Sequence, residues 1–315
     1  MPKKFEPIDL SRVKTYPLSQ RKSKVSTTDF GKTWQKGARF KEFLDRLPDI
    51  LAGSHLKTVI SAIVNAFRKE KTIVFAMGAH VIKVGLNPIV IDLMERGIVT
   101  AVAMNGAGII HDLELAMAGK TSEDVSASLG DGTFGMAQET GAFLCDAIGL
   151  AGEKSTGLGE TIGFVIIEKR LPYSEHSILA SGARLGIPVT VHVAFGTDTL
   201  HMHPGFDANI AGQATHRDFR TFASVIGTID GGVYLNVGSA VILPEVFLKA
   251  VTLARNLGHH LDQFTTVNMD FIRHYRPMTN VVNRPTARGG QGFNLTGHHE
   301  IMLPLIAAGV IEAIG

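Results

Sequence analysis

Five short apolar runs recur along the chain, each followed by a stretch with helical spacing: "TIVFAMGAH", "IVTAVAMNGAG", "IPVTVHVAFG", "GGVYLNVGS" and "FTTVNMDF". The runs are too short for typical helices and apolar on both faces, so they read as buried strands. Between them lie "NPIVIDLMERG", "IIHDLELAMAG", "MAQETGAFLCDAIG", "GETIGFVIIEKR", "SEHSILASGARLG", "RDFRTFASVIG" and "LPEVFLKAVTLARNLG", and "HEIMLPLIAAGVIEAIG" closes the chain. Strands alternating with helices of ten or more residues predict an α/β fold. The expected sheet is doubly wound and mostly parallel, with helices on both faces. Its ligands belong in the crevice at the carboxyl ends of the strands.

Those ends are built from small residues. They fall at Gly78, Ala79 and His80, at Asn105, Gly106 and Ala107, at 196–198, at Asn236, Gly238 and Ser239, and after Phe271. Small residues let a phosphate approach the backbone amides of a following helix, and "AMNGAGIIHD" has that form, although a tight turn that binds nothing has it too. No G-x-G-x-x-G follows a strand, and neither a P-loop motif nor a G-x-S-x-G nucleophile elbow occurs. "GEKSTG" at 152–157 resembles part of a phosphate loop but follows no strand, so it reads as a surface turn.

Residues 1–41 carry eleven Lys and Arg against Glu6, Asp9 and Asp29, a local charge of +8 in a chain of net charge +2. The rest is therefore −6. We expect a basic arm over 1–44 and one domain over 45–315. Nucleic acid is a poor fit, because the arm has no repeated interleaving of arginine and aromatics; an arm lying on its own body or on a sister subunit explains the charge. The single cysteine, Cys145, excludes a disulfide framework and reads as a small buried hydrophobe. With no apolar leader and no run long enough to span a bilayer, a cytoplasmic protein is expected and no membrane partner.

"HVAFGTDTLHMHP" holds His192, Asp198, His201 and His203. An H-x-H pair on extended backbone points both rings to one side. With a third ligand, for which Asp198, Asp207 or His216 could serve, the pair could hold a zinc-type ion, and His192, His201 and His203 are the metal candidates; a polar pocket wall or a subunit contact is the other reading, and no metal is assigned.

The order of "VFAMGAHVIKVG", "VAMNGAGIIHDLELAMAG", "IPVTVHVAFGTD", "GGVYLNVGSAVILPEV" and "HHEIMLPLI" resembles deoxyhypusine synthase, from about residue 45 to the end of the chain. The resemblance implies a doubly wound NAD-binding fold and a homotetramer with active sites between subunits. It also implies an N-terminal segment able to cover the site entrance. The family oxidises spermidine with NAD, holds the aminobutyl group as an imine on a lysine, and passes it to a lysine of a translation factor. Bacterial relatives pass such groups to small amines.

Position by position, the resemblance places the cofactor turns at Asn105, Gly106 and Ala107 and at Val237, Gly238 and Ser239. The turn after the first strand matches Ala79 to Gly85, without its hydroxyls. The polyamine acids fall at Ile110, His111 and Asp112, and only Asp112 keeps its charge. The Thr-Asp-Gly stretch falls near Gly196, Thr197 and Asp198. The family's histidine pair falls near Leu243 and Pro244 and is missing, and its ribose-binding Asp-Ala falls at His298 and His299.

The family's lysine lies in the region matched here by "VNRPTARGGQGFNLTG", and no lysine occurs after Lys249. Arg284 and Arg288 stand in that region instead. A guanidinium stays protonated and cannot form the imine. Asp112, Asp198, His203 and Arg288 are the candidate catalytic residues. Gly78, Ala79, His80, Asn105, Gly106, Ala107, Asn236, Gly238, Ser239, His298 and His299 are the candidate cofactor residues, with NAD as the expected cofactor. The expected function is NAD-dependent chemistry of transferase or oxidoreductase type on a small amine or an anionic substrate. A non-catalytic NAD- or anion-binding relative and a metal-dependent site at His192, His201 and His203 are the alternatives.

Overall fold

The computed structural model describes residues 3–315. Six parallel strands form one sheet: β1 (Ile73–Met77), β2 (Ala101–Asn105), β3 (Val189–His192), β4 (Val233–Val237), β5 (Thr265–Asp270) and β6 (Gln291–Thr296), in the order β3-β2-β1-β4-β5-β6. The helices are α1 (Phe40–Arg46), α2 (Leu51–Arg68), α3 (His80–Lys83), α4 (Asn87–Glu95), α5 (Gly106–Ala118), α6 (Val125–Ser128), α7 (Gln138–Lys154), α8 (Leu158–Glu168), α9 (Ile178–Leu185), α10 (Ala208–Ile226), α11 (Ile242–Asn256), α12 (Tyr275–Pro277, continued as a π-helix over Met278–Asn283) and α13 (His299–Ile314). The doubly wound parallel architecture is thus the one the alternation predicts.

Side-chain alternation on the strands builds two cores. Ile73, Phe75 and Met77 of β1 join Val102, Val233 and Leu235 under α2, α4, α5 and α13. Val74 and Ala76 join Ala103 and Tyr234 under α10 and α11, where Tyr234 stacks on Phe247 with ring centroids 3.7 Å apart. Every residue of β1 and β4 is buried, which explains why these strands read as continuous apolar runs.

Helix ends follow local chemistry. Asn105 caps α5 by accepting from the Gly108 amide, and Gly119 ends it with φ 66°. Asp207 opens α10, and Ser177 opens α9. Two buried carboxylates then tie elements together. Asp112 accepts from the Ser177 hydroxyl (2.5 Å), the amides of Ile178 (2.9 Å) and Leu179 (3.1 Å), and Asn87 Nδ2 (3.0 Å). Asp218 accepts from the amides of Gly159 (3.1 Å) and Val191 (3.0 Å), joining α10 to the start of α8 and to the free edge of β3. Thr215 completes that edge, donating to the Val191 carbonyl and accepting from the Val193 amide.

Two expectations are corrected. The 44/45 boundary cuts α1, whose Leu44 is buried against α13, so the body begins by Phe40. Ahead of it, Phe5, Ile8, Leu10, Tyr16 and Leu18 are exposed. The glycine-rich stretch 287–300 is not one loop either: 291–296 is edge strand β6. Its alternation is masked by Gly292 and three polar residues, and only Leu295 is buried. Cys145 is only partly buried, packed against the core.

Burial pushes the Asp112 carboxyl up to about 6 and that of Asp218 up to about 7, with the hydrogen bonds pulling each back down. A carboxyl raised on folding binds its proton more tightly in the folded state. Its contribution to stability is complete below the unfolded value near 3.8 and is lost as pH rises through 7. Asp218→Asn is expected to remove this dependence. Measured by urea unfolding, wild type should lose about 2 kcal/mol more than the variant between roughly pH 5 and pH 8. Equal losses in the two proteins would contradict this placement of Asp218.

Candidate active site

Because all six strands run parallel, the crossovers bring the ends of β1, β2, β4, β5 and β6 and the starts of α3, α5, α11 and α13 to one rim of the sheet. The expected site residues separate there into those whose space is already taken, those that are open, and those that lie elsewhere.

The glycine turns are filled by the protein's own groups. A Cβ on Gly106 would overlap the Asp198 carboxylate, which the loop after β3 lays across the first turn of α5. A Cβ on Gly78 would overlap the Gly238 carbonyl, and one on Gly238 would come within 2.9 Å of His299 Cε1. These glycines accommodate protein rather than phosphate. Asn236 is fully buried, with Nδ2 donating to the Ser239 carbonyl (2.9 Å) and to Asn268 Oδ1 (2.8 Å); Asn268 in turn donates to Asn294 Oδ1 (2.8 Å). The Ser239 hydroxyl accepts from the Leu243 amide at 3.2 Å. Asn236 and Ser239 therefore serve the sheet and the start of α11.

Two candidate catalytic residues are corrected. Asp112 is fully buried, and both of its oxygens are engaged by α9 and Asn87. Arg288 lies at the opposite rim. The β5–β6 register pairs Thr265 with Gln291, so residues 284–290 precede the amino end of β6, and Gly290 abuts the Phe264 carbonyl. Of the 287–300 stretch, only the residues that follow β6, His298 and His299 among them, reach the carboxyl rim. Arg284 holds Asn280 Oδ1 at 3.0 Å.

The histidines do not gather around one point. His192 is buried, with Nε2 3.0 Å from the Thr190 hydroxyl, and burial pushes it down to about 3. His201 Nδ1 accepts from the Gly196 amide at 3.1 Å, and His203 packs on Gly141 with Nε2 3.0 Å from the Gly135 carbonyl. Among the described residues, no group of three or more His, Cys, Asp or Glu is placed to hold a metal.

At the β1/β5/β6 side of the rim, exposed His80 lies 5.4 Å from buried His299, between ring centroids, and His298 stacks on exposed Phe271 at 6.1 Å. His299 Nε2 lies 3.3 Å from the Met269 carbonyl and 3.9 Å from Asp270 Oδ1, and its Nδ1 has no partner. Burial lowers its pKa, against the pull of Asp270.

At the β2 side, a cavity of about 190 Å³ lies beside α5, lined by Lys83, His111, Glu114, Glu123, Thr140 and Asp198. His111 and Glu114 share a face of α5 at i,i+3. His111 Nδ1 lies 2.7 Å from the Thr121 hydroxyl, which donates to Glu114 Oε2, and Thr140 donates to Oε1 at 3.4 Å. The Thr121 proton is committed to Glu114, so its oxygen accepts Nδ1–H of His111, and Nε2 is left as the ring's bare lone pair. Burial lowers the His111 pKa. Asp198 is raised by burial, against the opposing effects of His201, the Thr197 hydroxyl and the Ala107 amide, and its buried Oδ2 has no hydrogen-bond partner.

Sequence reasoning missed Lys83, Glu114 and Glu123 as site residues. The available signal was position: Lys83 follows the first strand end, and Glu114 lies two turns after the "NGAG" turn on the face of His111. Glu123 carried no signal; it arrives with the segment between α5 and α6.

No family model and no curated protein sequence matches the chain. Solved structures do. An arginine dihydrolase of the cyanobacterial ornithine–ammonia cycle, ArgZ, superposes with TM-score 0.50 and 14% identity, over 90% of this chain and 33% of its own. AgrE, in ternary complex with ornithine and NAD+, gives TM-score 0.53 and 14% identity over 85% of this chain and 35% of its own. A candidate deoxyhypusine synthase from Entamoeba histolytica gives TM-score 0.50 and 15% identity over 90% of this chain and 96% of its own. The fold is thus deoxyhypusine synthase-like, and the chain spans about a third of the length of ArgZ and AgrE. No helix among the described residues is long and apolar enough to cross a membrane.

The Gly106–Asp198 contact is tested by a double-mutant cycle. Gly106→Ala is expected to cost about 2 kcal/mol by overpacking. In an Asp198→Ala background the cost should fall by about 1 kcal/mol or more. Additive costs in urea unfolding would show that the two residues do not touch.

Proposed function

We propose that the chain is an enzyme of NAD-dependent small-amine chemistry whose substrate carries an ammonium group and a carboxylate, as a basic amino acid does. One observation carries the reading: the cavity beside α5 sets Glu114, Glu123 and Asp198 against a single cation, Lys83, with His111 lowered by burial. An ammonium balances the excess acid, and Lys83 is the partner for a carboxylate. The expected alternative of an anionic substrate rested on Arg284, Arg288 and the pair His298 and His299, of which the histidines do reach this rim. It loses support because Arg288 stands at the other rim.

The chain's residues divide the work. Glu114, held by Thr121 and Thr140, receives the ammonium. His111 Nε2 is the base that takes a proton from it once the amine is seated, and the low His111 pKa keeps that lone pair free at neutral pH. The fit to NAD is specific in kind. The buried, unpartnered Asp198 Oδ2 calls for a donor such as a ribose hydroxyl, whereas a phosphate at the same turn would meet a carboxylate. Asp198, His80, Phe271 and His298 would hold the dinucleotide, which supplies a hydride acceptor when bound. The binding of NAD and ornithine by AgrE supports the same reading. The exposed apolar residues of the basic arm fit a homotetramer in which they find cover.

Purified protein offered NAD with diamines, basic amino acids and dicarboxylates is expected to release NADH or ammonia only with the amines. Glu114→Gln should raise KM about tenfold with less effect on kcat. Turnover of dicarboxylates in preference to amines would overturn the substrate class. Binding without turnover of any amine would replace the enzyme by a ligand-binding relative.

Deoxyhypusine formation is not expected, since β6 and the segments around it provide no lysine. With spermidine, NAD and the acceptor protein, mass spectrometry should find no aminobutyl addition on the acceptor lysine. Stoichiometric addition would mean that a lysine elsewhere, such as Lys83, carries the imine.

A further inference from the structure

The turn 152–157, "GEKSTG", takes no part in the rim site, and the fold gives it other company. Helix α7 ends at Lys154, Ser155 turns the chain with φ 56°, and Thr156 and Gly157 lead into α8. Across from this turn, α10 contributes Arg217, Arg220, Thr221 and Ser224, which at i, i+3, i+4 and i+7 occupy one face of the helix. The two sides enclose an open cavity of about 400 Å³ on the β3 flank of the sheet, also bordered by Glu160.

The charges there are unmatched. Neither Arg217 nor Arg220 has a carboxylate within ion-pair distance among the described residues. Arg217 Nη1 is buried and has no hydrogen-bond partner. Its sequence neighbour Asp218 does not serve it, because that carboxylate is engaged by the amides of Gly159 and Val191. A buried guanidinium N–H without an acceptor is costly, and its residue, Arg217, is one of those lining the cavity.

We propose that this cavity binds the phosphoryl group of a small molecule. A guanidinium fork matches two phosphate oxygens, and two forks one turn apart reach different oxygens of the same tetrahedral group. Ser155, Thr221 and Ser224 bring hydroxyls to the two sides of the cavity as further donors, while the Thr156 hydroxyl is held by Thr161 at 2.6 Å. A planar carboxylate has too few acceptor positions to use both walls. Glu160 opposes an anion and tunes the affinity downward. The site is independent of the rim cavity, from which it differs in sign: hydroxyls and arginines here, carboxylates there.

Calorimetry of the full chain at low salt with inorganic phosphate, and separately with AMP as a phosphomonoester, tests the proposal. Saturable binding is expected with at least one probe; AMP alone binding would mean that the ester is recognised, and inorganic phosphate binding equally that the phosphoryl group suffices. Arg217→Gln and Arg220→Gln should each weaken it about tenfold. Arg217→Lys should fall between, Glu160→Gln should tighten binding, and Glu114→Gln in the rim cavity should leave it unchanged. Absence of saturable binding of either probe at millimolar concentration overturns the site. So does binding that is unaffected by both arginine variants, which would place the anion elsewhere. Circular dichroism monitors folding, and if Arg217→Gln unfolds, the exposed Arg220 carries the test alone.

Discussion

Asp218 joins three backbone segments through one buried carboxylate, and the geometry of the rim descends from it. By accepting from Gly159 and Val191 it fixes the start of α8 and the free edge of β3. The end of β3 launches the loop that carries Asp198, and that loop lays Asp198 over Gly106 at the first turn of α5. The amide end of α5 is thereby met from within the chain, by the Asp198 carboxyl and by the neutral side-chain oxygen of the Asn105 cap. The cavity next to it inherits an acidic wall. Asp218 thus anchors the end of β3 from which the loop carrying Asp198 departs.

The same dependence explains how far the sequence could be read. Strands β1 and β2 were legible because burial on both faces leaves a nearly uninterrupted apolar run, β3, β4 and β5 because β-branched and aromatic residues stand between turn signals, and their order along the chain was enough for a doubly wound sheet. β6 was not legible, because an edge strand with Gly292 and an outward row of polar residues carries almost no period-2 signal. Missing it moved Arg288 to the wrong rim. In a parallel sheet the residues before a strand and those after it lie a full strand length apart, so one unseen strand separates Arg288 from His298 and His299.

Glycine was the other source of error. Gly78, Gly106 and Gly238 were rightly placed at strand ends, but a missing side chain says only that something comes close. At Gly106 it is Asp198, at Gly238 it is His299, and Gly78 and Gly238 meet each other. Asp112 failed for the converse reason. Its charge stood in a plausible position by resemblance, yet α9 begins against it, a tertiary contact with no local trace in "GIIHDLELAMAG".

Burial sets the chemistry of the rim by moving its titrating groups toward one another. His111 is lowered and Asp198 is raised, each chiefly by loss of water. An imidazole that resists protonation and a carboxyl that resists ionisation are closer in proton affinity than the same pair in solution. A cation relieves only the Asp198 shift: an ammonium seated at Glu114 in the same cavity would favour the ionised Asp198 and, as Lys83 does, would hold His111 unprotonated. An anion would do the reverse, raising Asp198 further and gaining nothing from Glu114 or Glu123. On the proposed reading, Lys83, the one lysine or arginine on the cavity wall, is the partner for a substrate carboxylate. Lys83 and the carboxylates of Glu114, Glu123 and Asp198 line the same cavity, so the proposed contacts to an ammonium and to a carboxylate fall within one small space.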